Sequence, residues 1–496
     1  MHGAVRTQQP ATLFSFAMTP LSLLFSYFTI GFCTVFPSLA ASYIMVNTLD
    51  FSASDVATTG LLCSIPWCLK PLWAYISDTF ACCGYRRRPY VSVFSLLTAV
   101  LLVATPQRAS VGFERDFVAL LALTSFCLCF VDVAVDGSVM VIVSRETEGV
   151  DEGKAQTHSW IARVGGGTLA AGWSGYVYET MGFTSMMAGC AALPLVLSLV
   201  ALDIPDTPVA RLKRSRAARE SALCATPREV LRSLLQSRYV LAAAVIVSLV
   251  PEINTSLFFY LLSAHATPRE MSLVDVSGSM ASLLTLLLYN TCRPSHRRSF
   301  FAGVVLNALA ALMGCFMADD AVPWLLQGAA FEAALSAVGG ALVLMPTITV
   351  LGKTAASSEH EATVYSLALS VLNLASVGSE SVAAAAMRQL HVTKGDVNNV
   401  RVFVGAVAVI TLLTAPAAWL FPKKGSHDDA PEEEHELLPR KKRRRAADSV
   451  FTIEEALSSE SSSAAEKETD VEPLSESDAS DLDHDLTAVP RPLPVV

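Results

Sequence analysis

Residues 65–90 read IPWCLKPLWAYISDTFACCGYRRRPY, and this stretch decides how the rest of the chain can be arranged. It starts inside an apolar segment that contains Lys70, leaves that segment at Asp78, turns at Gly84 and ends in the arginine cluster 86–88. A new apolar run follows at once. This order is typical of a short hairpin between two membrane spans, and arginines beside a span normally stay on the cytoplasmic side. The stretch therefore predicts a membrane protein and fixes its orientation.

The composition agrees with that interpretation. Of 496 residues, 52% are hydrophobic, and the mean hydropathy is +0.46, which is too apolar for an ordinary soluble enzyme of this length. The formal net charge is −9, and it lies in the tail from Lys423 onward, which has 19 acidic and 10 basic residues. The preceding part is neutral overall. An acidic tail on a neutral apolar body argues against a nucleic-acid partner.

Twelve apolar runs are long enough, at about 20 residues each, to be candidate bilayer spans. The third and the eighth are the shortest. The predicted spans are Leu21–Val46, Val56–Ile76, Tyr90–Ala104, Phe117–Ser144, Ala155–Tyr178, Thr184–Leu202, Tyr239–Leu262, Leu273–Asn290, Phe300–Ala318, Val322–Val350, Ala362–Met387 and Val402–Leu420.

Loop charges support the count of twelve. Every second connection is rich in basic residues, as the positive-inside rule requires of cytoplasmic loops. The basic residues of these connections are Arg86, Arg87, Arg88, Arg145, Lys154, the run from Arg211 to Arg238, Arg293, Arg297, Arg298 and Lys353. The alternate loops hold mainly acidic residues, although Arg388, Lys394 and Arg401 in the last of them break the pattern. Both termini are therefore expected on the cytoplasmic side.

The longest internal break divides the spans six and six. The predicted fold class is an all-α integral membrane protein with twelve transmembrane helices in two six-helix bundles, the major facilitator fold. The predicted regions are a cytosolic N-terminus (1–20), an N-terminal bundle (21–203), a cytosolic linker (204–237), a C-terminal bundle (238–422) and an acidic tail (423–496). The tail is too polar to bury a core and is expected to be disordered.

Ionisable side chains inside a membrane are costly, which makes them functional candidates. Lys70 lies eight residues from Asp78, or roughly 12 Å in a helix. Asp136 and Arg163 lie at a similar estimated depth in their own spans, and Asp132 is one turn from Asp136 on the same face. Two cations and two anions in one layer predict mutual pairing. The layer is either a purely structural salt-bridge network or the lining of a site for a flat anionic ligand, and the two are compatible.

Two further carboxylates, Glu252 and Glu332, lie near the expected midplane of the second half. Burial of a lone carboxylate favours its protonated form, so both are candidates for proton binding. Glu252 is the preferred one because Pro251 loosens the backbone beside it. In the fifth span, the glycine-rich run 165–175 favours close helix packing over direct ligand contact.

Three motifs in the first half resemble the folate–biopterin transporter family of the major facilitator superfamily. They are WCLKPLWAYISD (67–78), GYRRRPY (84–90) and DVAVDG (132–137), together with the arginine and glycines of 163–167. The resemblance implies a secondary active transporter for a pterin, a folate or a related compound. The second half resembles the family only in its layout.

The hairpin is also similar to the general second-loop motif of the superfamily. That resemblance makes Asp78, Gly84, Arg86, Arg87 and Arg88 candidates for a gating loop. The chain departs from the motif in having Ala74 where glycine is usual, and in a longer turn.

Other functions remain open on the sequence alone. A nutrient sensor with a transporter fold would share these features, and so would a carrier of S-adenosylmethionine. An enzyme is not expected, because the chain has no GxSxG, HExxH or Walker motif, and neither a metal nor a cofactor is predicted. The expected partners are a small-molecule substrate and membrane lipid, with protons as a possible coupling ion.

The tail contains a candidate trafficking signal. Residues 433–438 read EEHELL, in which Glu433 precedes Leu437 and Leu438 as in an acidic dileucine motif for sorting adaptors. A chance leucine pair in an acidic tail is the alternative. The basic run from Lys441 to Arg445 is expected to contact anionic lipid. The predicted location is the plasma membrane, with an endosomal or other organelle membrane as the alternative.

Overall fold

A computed structural model of the chain describes residues 19–109, 114–143, 154–206, 227–292, 294–317, 324–356, 361–390 and 399–422. These ranges are almost entirely helical, and an isolated β-bridge joins Cys82 to Tyr85 in the hairpin. All described residues belong to one compact unit within Met1–Lys424, and the predicted acidic tail and the sorting motif lie outside them.

The described ranges contain fifteen α-helices, several of which continue into a neighbour through a short break. In chain order, α1 to α15 are Leu21–Val35, Ser38–Asn47, Ala53–Cys68, Lys70–Thr79, Arg88–Ala109, Glu114–Val143, Lys154–Val200, Pro227–Gln236, Arg238–Ser248, Asn254–Ser263, Pro268–Cys292, His296–Met317, Leu325–Ala356, Glu361–Gln389 and Val400–Leu413.

Nine spans in the described ranges are long and apolar enough to cross a bilayer unaided, with a tenth if one bent pair is counted. One of the nine, Lys154–Asp203, has 50 residues, or about 75 Å of helix, which is more than twice the thickness of a hydrocarbon core. Gly182 inside it has φ 74°, which ends one helix and allows a second to start. The segment therefore makes two passes.

The remaining passes are interrupted helices. Helices α3 and α4 follow one another through a break at Leu69, and α9 and α10 through a break at residues 249–253. The bent pair contains α8, which meets α9 at 79° and packs Leu234 against the second half. Joined in this way, the helices give the twelve passes that the sequence predicts. The third is longer than expected, since α5 runs over Arg88–Ala109.

Helices of the two halves pack against each other along two lines. Helices α3 and α4 contact α14, and the first arm of α7 (residues 154–181) contacts α11. Near the end that holds the arginine hairpin, here called the inner end, Tyr27 shares a hydrophobic cluster with Tyr365 of the second half. Near the opposite, outer end, the Tyr43 hydroxyl donates to the Ala266 carbonyl oxygen at 2.9 Å.

A glycine makes a close helix contact in the first half possible. A Cβ atom at Gly166 would overlap the carbonyl oxygen of Phe28, so only glycine lets the first arm of α7 lie against α1. Close approach of this kind is what the glycine-rich run predicts. The close contact between α7 and α1 holds Arg163, one turn earlier in α7, at a fixed position beside α1 and α6.

Candidate functional site

The break between α3 and α4 prepares one side of the site. Pro66 and Pro71 flank Leu69, whose backbone is not helical (φ −96°, ψ 13°). The Pro66 carbonyl oxygen accepts hydrogen bonds from Trp73 Nε1 at 2.9 Å and from Cys129 Sγ at 3.3 Å. Polar backbone in a membrane interior needs such partners. The break starts α4 at Lys70, which is 4% exposed.

Lys70, Asp132, Asp136 and Arg163 come together, and we call these four residues the charge layer. Lys70 Nζ lies 2.5 Å from Asp132 Oδ2 and 3.4 Å from Asp136 Oδ2. Arg163 Nη1 lies 2.5 Å from Asp132 Oδ1. Asp132 therefore bridges both cations, one through each carboxylate oxygen. The sequence predicts that these four side chains pair with one another, but not which cation pairs with which acid.

Aromatic side chains enclose the charge layer. The Tyr27 hydroxyl donates to Asp136 Oδ1 at 2.5 Å. The Trp67 ring lies under both cations, 5.1 Å from Lys70 Nζ and 5.4 Å from the Arg163 guanidinium carbon. Cation–π contacts of this kind gain strength when water is excluded. Across the interface between the halves, Asn373 Nδ2 donates to the Trp67 carbonyl oxygen at 2.8 Å, so α14 is attached to the break in the second pass.

The charge layer is electrically balanced, with two positive and two negative side chains. The Asp132 side chain is 1% exposed and that of Lys70 is 6% exposed, so both have lost nearly all contact with water. Moving such ions out of water is expensive, and only close pairing offsets the cost. Removing one member leaves an unpaired buried charge, while removing a matched pair does not.

Arg163 is the most exposed member, because it also faces a cavity. Its side chain is 19% exposed and contributes to the wall of a central cavity of about 690 Å³. This is the usual size of a pocket for a small organic molecule. The cavity lies between the two halves, with α1, α2 and α7 on one side and α10, α11 and α13 on the other. Its polar lining residues are Thr34, Ser38, Ser42, Arg163, Asn254, Thr255, Asp275, Ser279, Ser282, Glu332 and Ser336.

The proposed gating hairpin is fixed to the end of the first half. Gly84 has φ 81°, which only glycine adopts readily. The backbone N–H groups of Arg87 and Arg88 both donate to Asp206 Oδ2, at 2.7 and 3.2 Å, and Arg88 Nε donates to the Ile204 carbonyl oxygen at 2.5 Å. These contacts hold the hairpin against the start of the predicted linker.

The other hairpin residues contribute less to the site. Asp78 belongs to α4, and its side chain lies outside the described part. Arg86 is half-buried in the turn. The Arg87 side chain reaches α6, where its guanidinium would contact a Cβ atom placed at Gly137. Gly137 follows Asp136, so the hairpin touches the helix that carries both acids of the charge layer.

A model of the BT1 family matches residues 30–441. The chain belongs to the BT1 family. The matched range includes the whole charge layer and the residues that line the cavity.

Curated relatives point in the same direction as the family. A folate-biopterin transporter of Synechocystis is 26% identical over 414 residues, which are 81% of this chain and 81% of that protein. Folate transporter 2 of Plasmodium falciparum is 26% identical over 170 residues, which are 34% of this chain and 36% of the relative. Both of these relatives are named as transporters.

Solved structures show the same fold at low sequence identity. The nucleoside transporter NupG has a TM-score of 0.56 at 14% identity, covering 81% of this chain and 99% of its own. The xylose transporter XylE from E. coli has a TM-score of 0.58 at 14% identity, covering 83% and 98%. Both are major facilitator transporters, so the predicted fold class is confirmed.

The second half of this BT1-family chain differs from the sequence prediction in which carboxylate is buried. Glu252 is exposed at the break after α9, accepts a hydrogen bond from Asn254 Nδ2 at 2.5 Å and does not line the cavity. Pro251 opens the backbone there, and the same opening leaves the side chain uncovered. The preference for Glu252 as the buried carboxylate is wrong. Glu332 is 5% exposed and lines the cavity.

Asp275 is a cavity residue that the sequence prediction missed. The eighth span was placed from Leu273, which puts Asp275 at the membrane edge. Helix α11 starts at Pro268, seven residues before Asp275, and this places the carboxylate about 10 Å into the helix. Thr267 and Glu270 form a capping box at the start of this helix. Thr267 N donates to Glu270 Oε2 at 2.8 Å, and Glu270 N donates to Thr267 Oγ1 at 3.3 Å. The Thr-x-x-Glu pattern is the signal in the sequence that marks the true start of the helix.

Proposed function

We propose that this protein is a secondary active transporter that moves a pterin or a folate across a membrane by alternating access. The names of its relatives supply the substrate class. The observation that carries the proposal is the position of Arg163, which pairs with Asp132 and lines the central cavity at the same time. A ligand that contacts Arg163 therefore acts directly on the charge layer.

The cavity chemistry suits a flat, polar, anionic ligand. Trp160 lines the cavity beside Arg163, with the guanidinium carbon 5.4 Å from the indole ring centre. An indole face and a planar guanidinium both favour stacking on an aromatic heterocycle. The guanidinium also attracts carboxylates, such as those of the glutamate part of a folate. A sugar offers neither the flat face nor the negative charge.

Ligand binding and gating are coupled through Asp132 in this proposal. Contact between an anion and Arg163 competes with Asp132 for the guanidinium and weakens one of the two pairs that Asp132 makes. Lys70 and Asp136 then compensate, because Lys70 already contacts both acids. The change reaches α4 and the gating hairpin, which is continuous with it. We propose that residues 21–203 and 238–422 move as the two bundles of this cycle.

Protons are the proposed coupling ion, with Asp136 as the binding group. Its ion pair with Lys70 is the longer one, at 3.4 Å, and it also accepts a hydrogen bond from the Tyr27 hydroxyl. Protonation of Asp136 leaves the Asp132 bridge in place. The groups that face it are Lys70, Tyr27, Asp132 and, from the second half, Tyr365.

The experiment that tests the function is uptake by cells that lack their own carriers. Cells that express the chain receive radiolabelled folates, pterins and S-adenosylmethionine in parallel. The proposal predicts saturable uptake of a folate or a pterin. Uptake of S-adenosylmethionine alone, or of none of these compounds, would contradict it.

We propose the plasma membrane as the site of action, under the control of the Glu433–Leu438 motif, which lies outside the described residues. Replacing Leu437 and Leu438 with alanine is expected to change the distribution of the protein between the surface and internal membranes. Surface biotinylation measures this directly. An unchanged distribution would leave the leucine pair without a sorting role.

A further inference from the structure

The second half of the cavity contains two carboxylates that no described residue pairs with. Glu332 on α13 and Asp275 on α11 both line the cavity. Glu332 is buried, at 5% exposed, whereas Asp275 is exposed, and neither side chain has a hydrogen bond or an ion pair with the described part of the chain. A buried charged group without a partner is expensive, so a ligand is the natural partner for a side chain that faces a cavity.

The two carboxylates lie close together in depth. Ser277 Oγ donates to the Ala330 carbonyl oxygen at 2.8 Å, which fixes the register of α11 against α13. Asp275 lies two residues before Ser277, and Glu332 lies two residues after Ala330. Both helices run from the outer end to the inner end, so the carboxylates differ in depth by about four residues, or roughly 6 Å.

Glu332 lies at nearly the same depth as Arg163, on the opposite wall. Ser272 Oγ donates to the Ala171 carbonyl oxygen at 2.5 Å, which fixes α11 against the antiparallel first arm of α7. Arg163 is eight residues inward of Ala171, or roughly 12 Å, and the register places Glu332 roughly 10 Å inward of Ser272. Arg163 is paired with Asp132, so Glu332 remains open to a molecule between the walls.

We propose that Glu332, assisted by Asp275, selects the substrate by accepting two hydrogen bonds from an amidine-type edge. This inference rests on the proposed function. A 2-amino-4-oxo pteridine ring has such an edge, with a ring N–H beside an exocyclic amino group. A carboxylate has two oxygens that match those two donors, as it does with the fork of an arginine. The ring then lies between Glu332 on one wall and Arg163 with Trp160 on the other.

The matching rival ligand is a 2,4-dioxo pteridine. It has the same ring and size, but a carbonyl oxygen replaces the amino group. That oxygen faces the carboxylate as a second acceptor, which is repulsive and leaves no donor for one carboxylate oxygen. Glu332→Gln turns one acceptor into a donor and thereby suits the dioxo ring. The variant therefore changes selectivity and not only affinity.

The test measures equilibrium binding of both pteridines to the full-length protein in lipid nanodiscs. Wild type is expected to favour the 2-amino ring by at least about tenfold, the ratio expected for one charge-assisted hydrogen bond. Glu332→Gln is expected to reduce that ratio at least about tenfold, by weakening binding of the 2-amino ligand and strengthening binding of the dioxo ligand. The control is Glu114→Gln, the same change at an exposed position at the outer start of α6, which should leave the ratio unchanged.

The same binding ratio is measured for Asp275→Asn, so that the proposal can still be tested if Glu332→Gln folds poorly. A reduced ratio in either folded variant supports the proposal. An unchanged ratio in the folded variants overturns the proposal. If the pH profile of uptake is flattened at the same time, Glu332 is a proton site instead. If the wild-type protein transports a folate but binds the 2-amino and the dioxo pteridine equally well, only this inference is overturned. Wild type that neither binds nor carries any pteridine overturns the proposed function as well.

Discussion

Arg163 donates to Asp132 across helices α7 and α6 at 2.5 Å while its side chain faces the central cavity. One residue therefore belongs to two structures, a buried ion network and a ligand-sized space. Lys70 holds the second oxygen of the same carboxylate. Any ligand that reaches Arg163 changes the balance of charges on which three helices of the first half depend.

The pairing pattern predicts which double variants retain the fold. Lys70→Met alone leaves an unpaired negative charge, at an expected cost of about 3–5 kcal/mol for a buried pair that loses one partner. Lys70→Met with Asp136→Asn leaves the Arg163–Asp132 pair intact and should recover most of the folded yield. The measurement is the monodisperse fraction after detergent extraction.

The mismatched control is Lys70→Met with Asp132→Asn. It has the same net charge as the matched variant, but it leaves Arg163 without its partner. Its yield should stay close to that of Lys70→Met alone. Equal recovery by both double variants would show that net charge, and not the pairing seen here, stabilises the layer.

Tyr27 should stabilise the fold through Asp136. Tyr27→Phe removes a hydrogen bond to a carboxylate, which is worth about 1.5–3 kcal/mol when charged. The measurement is thermal unfolding of the purified protein, where a lower midpoint is expected. In an Asp136→Asn background the same change should cost clearly less, because the charged acceptor is gone. An equal decrease of the unfolding midpoint in both backgrounds would show that the Tyr27–Asp136 hydrogen bond does not stabilise the fold.

Two adjacent glycines should respond very differently to the same substitution. Gly166→Ala places a Cβ atom against the Phe28 carbonyl oxygen and forces α1 away from α7, at about 1–3 kcal/mol. Gly165→Ala meets no atom within 4 Å and serves as the matched control. Thermal unfolding should show a lower midpoint for Gly166→Ala only. Similar midpoints for both variants would mean that the helices are not in contact as described.

The charge layer could be predicted from the sequence because helical rise is uniform. Counting residues from the cytoplasmic ends of their own spans, at Asp78 and Arg145, predicts one depth for Lys70 and Asp136 without knowledge of any contact. Residue counting does not predict the rotation of each helix about its own axis, which decides where a side chain points. The break at Leu69 turns Lys70 toward α6, and only the folded packing shows that Asp132 bridges both cations.

The second half was harder to predict because its spans are interrupted. The break after α9 exposes Glu252, although hydropathy alone places it near the midplane. The early start of α11 at Pro268 places Asp275 seven residues inside the helix, farther from its end than an apolar window suggests. Glu332 lies in a long uninterrupted helix, and there the predicted depth and the observed burial agree.

Closure of the outer end should depend on Tyr43. Its hydroxyl donates to the Ala266 carbonyl oxygen at 2.9 Å and so joins α2 to the loop before α11. Tyr43→Phe removes this bond and should increase labelling of a cysteine placed at the cavity residue Ser42 by a membrane-impermeant maleimide. Peptide mass spectrometry measures the labelled fraction. Tyr75→Phe, an exposed tyrosine in α4, is the control, and equal labelling in both backgrounds would contradict a closing role for Tyr43.

Counterflow in proteoliposomes tests most directly whether the charge layer and the cavity form one transport site. Vesicles loaded with unlabelled folate or pterin receive a trace of the labelled compound outside, so that no coupling gradient is needed. Wild type should accumulate label transiently, and Arg163→Met with Asp132→Asn, which removes a matched pair, should insert normally but accumulate none. Equal counterflow by this variant and wild type would make the charge layer purely structural and contradict the account.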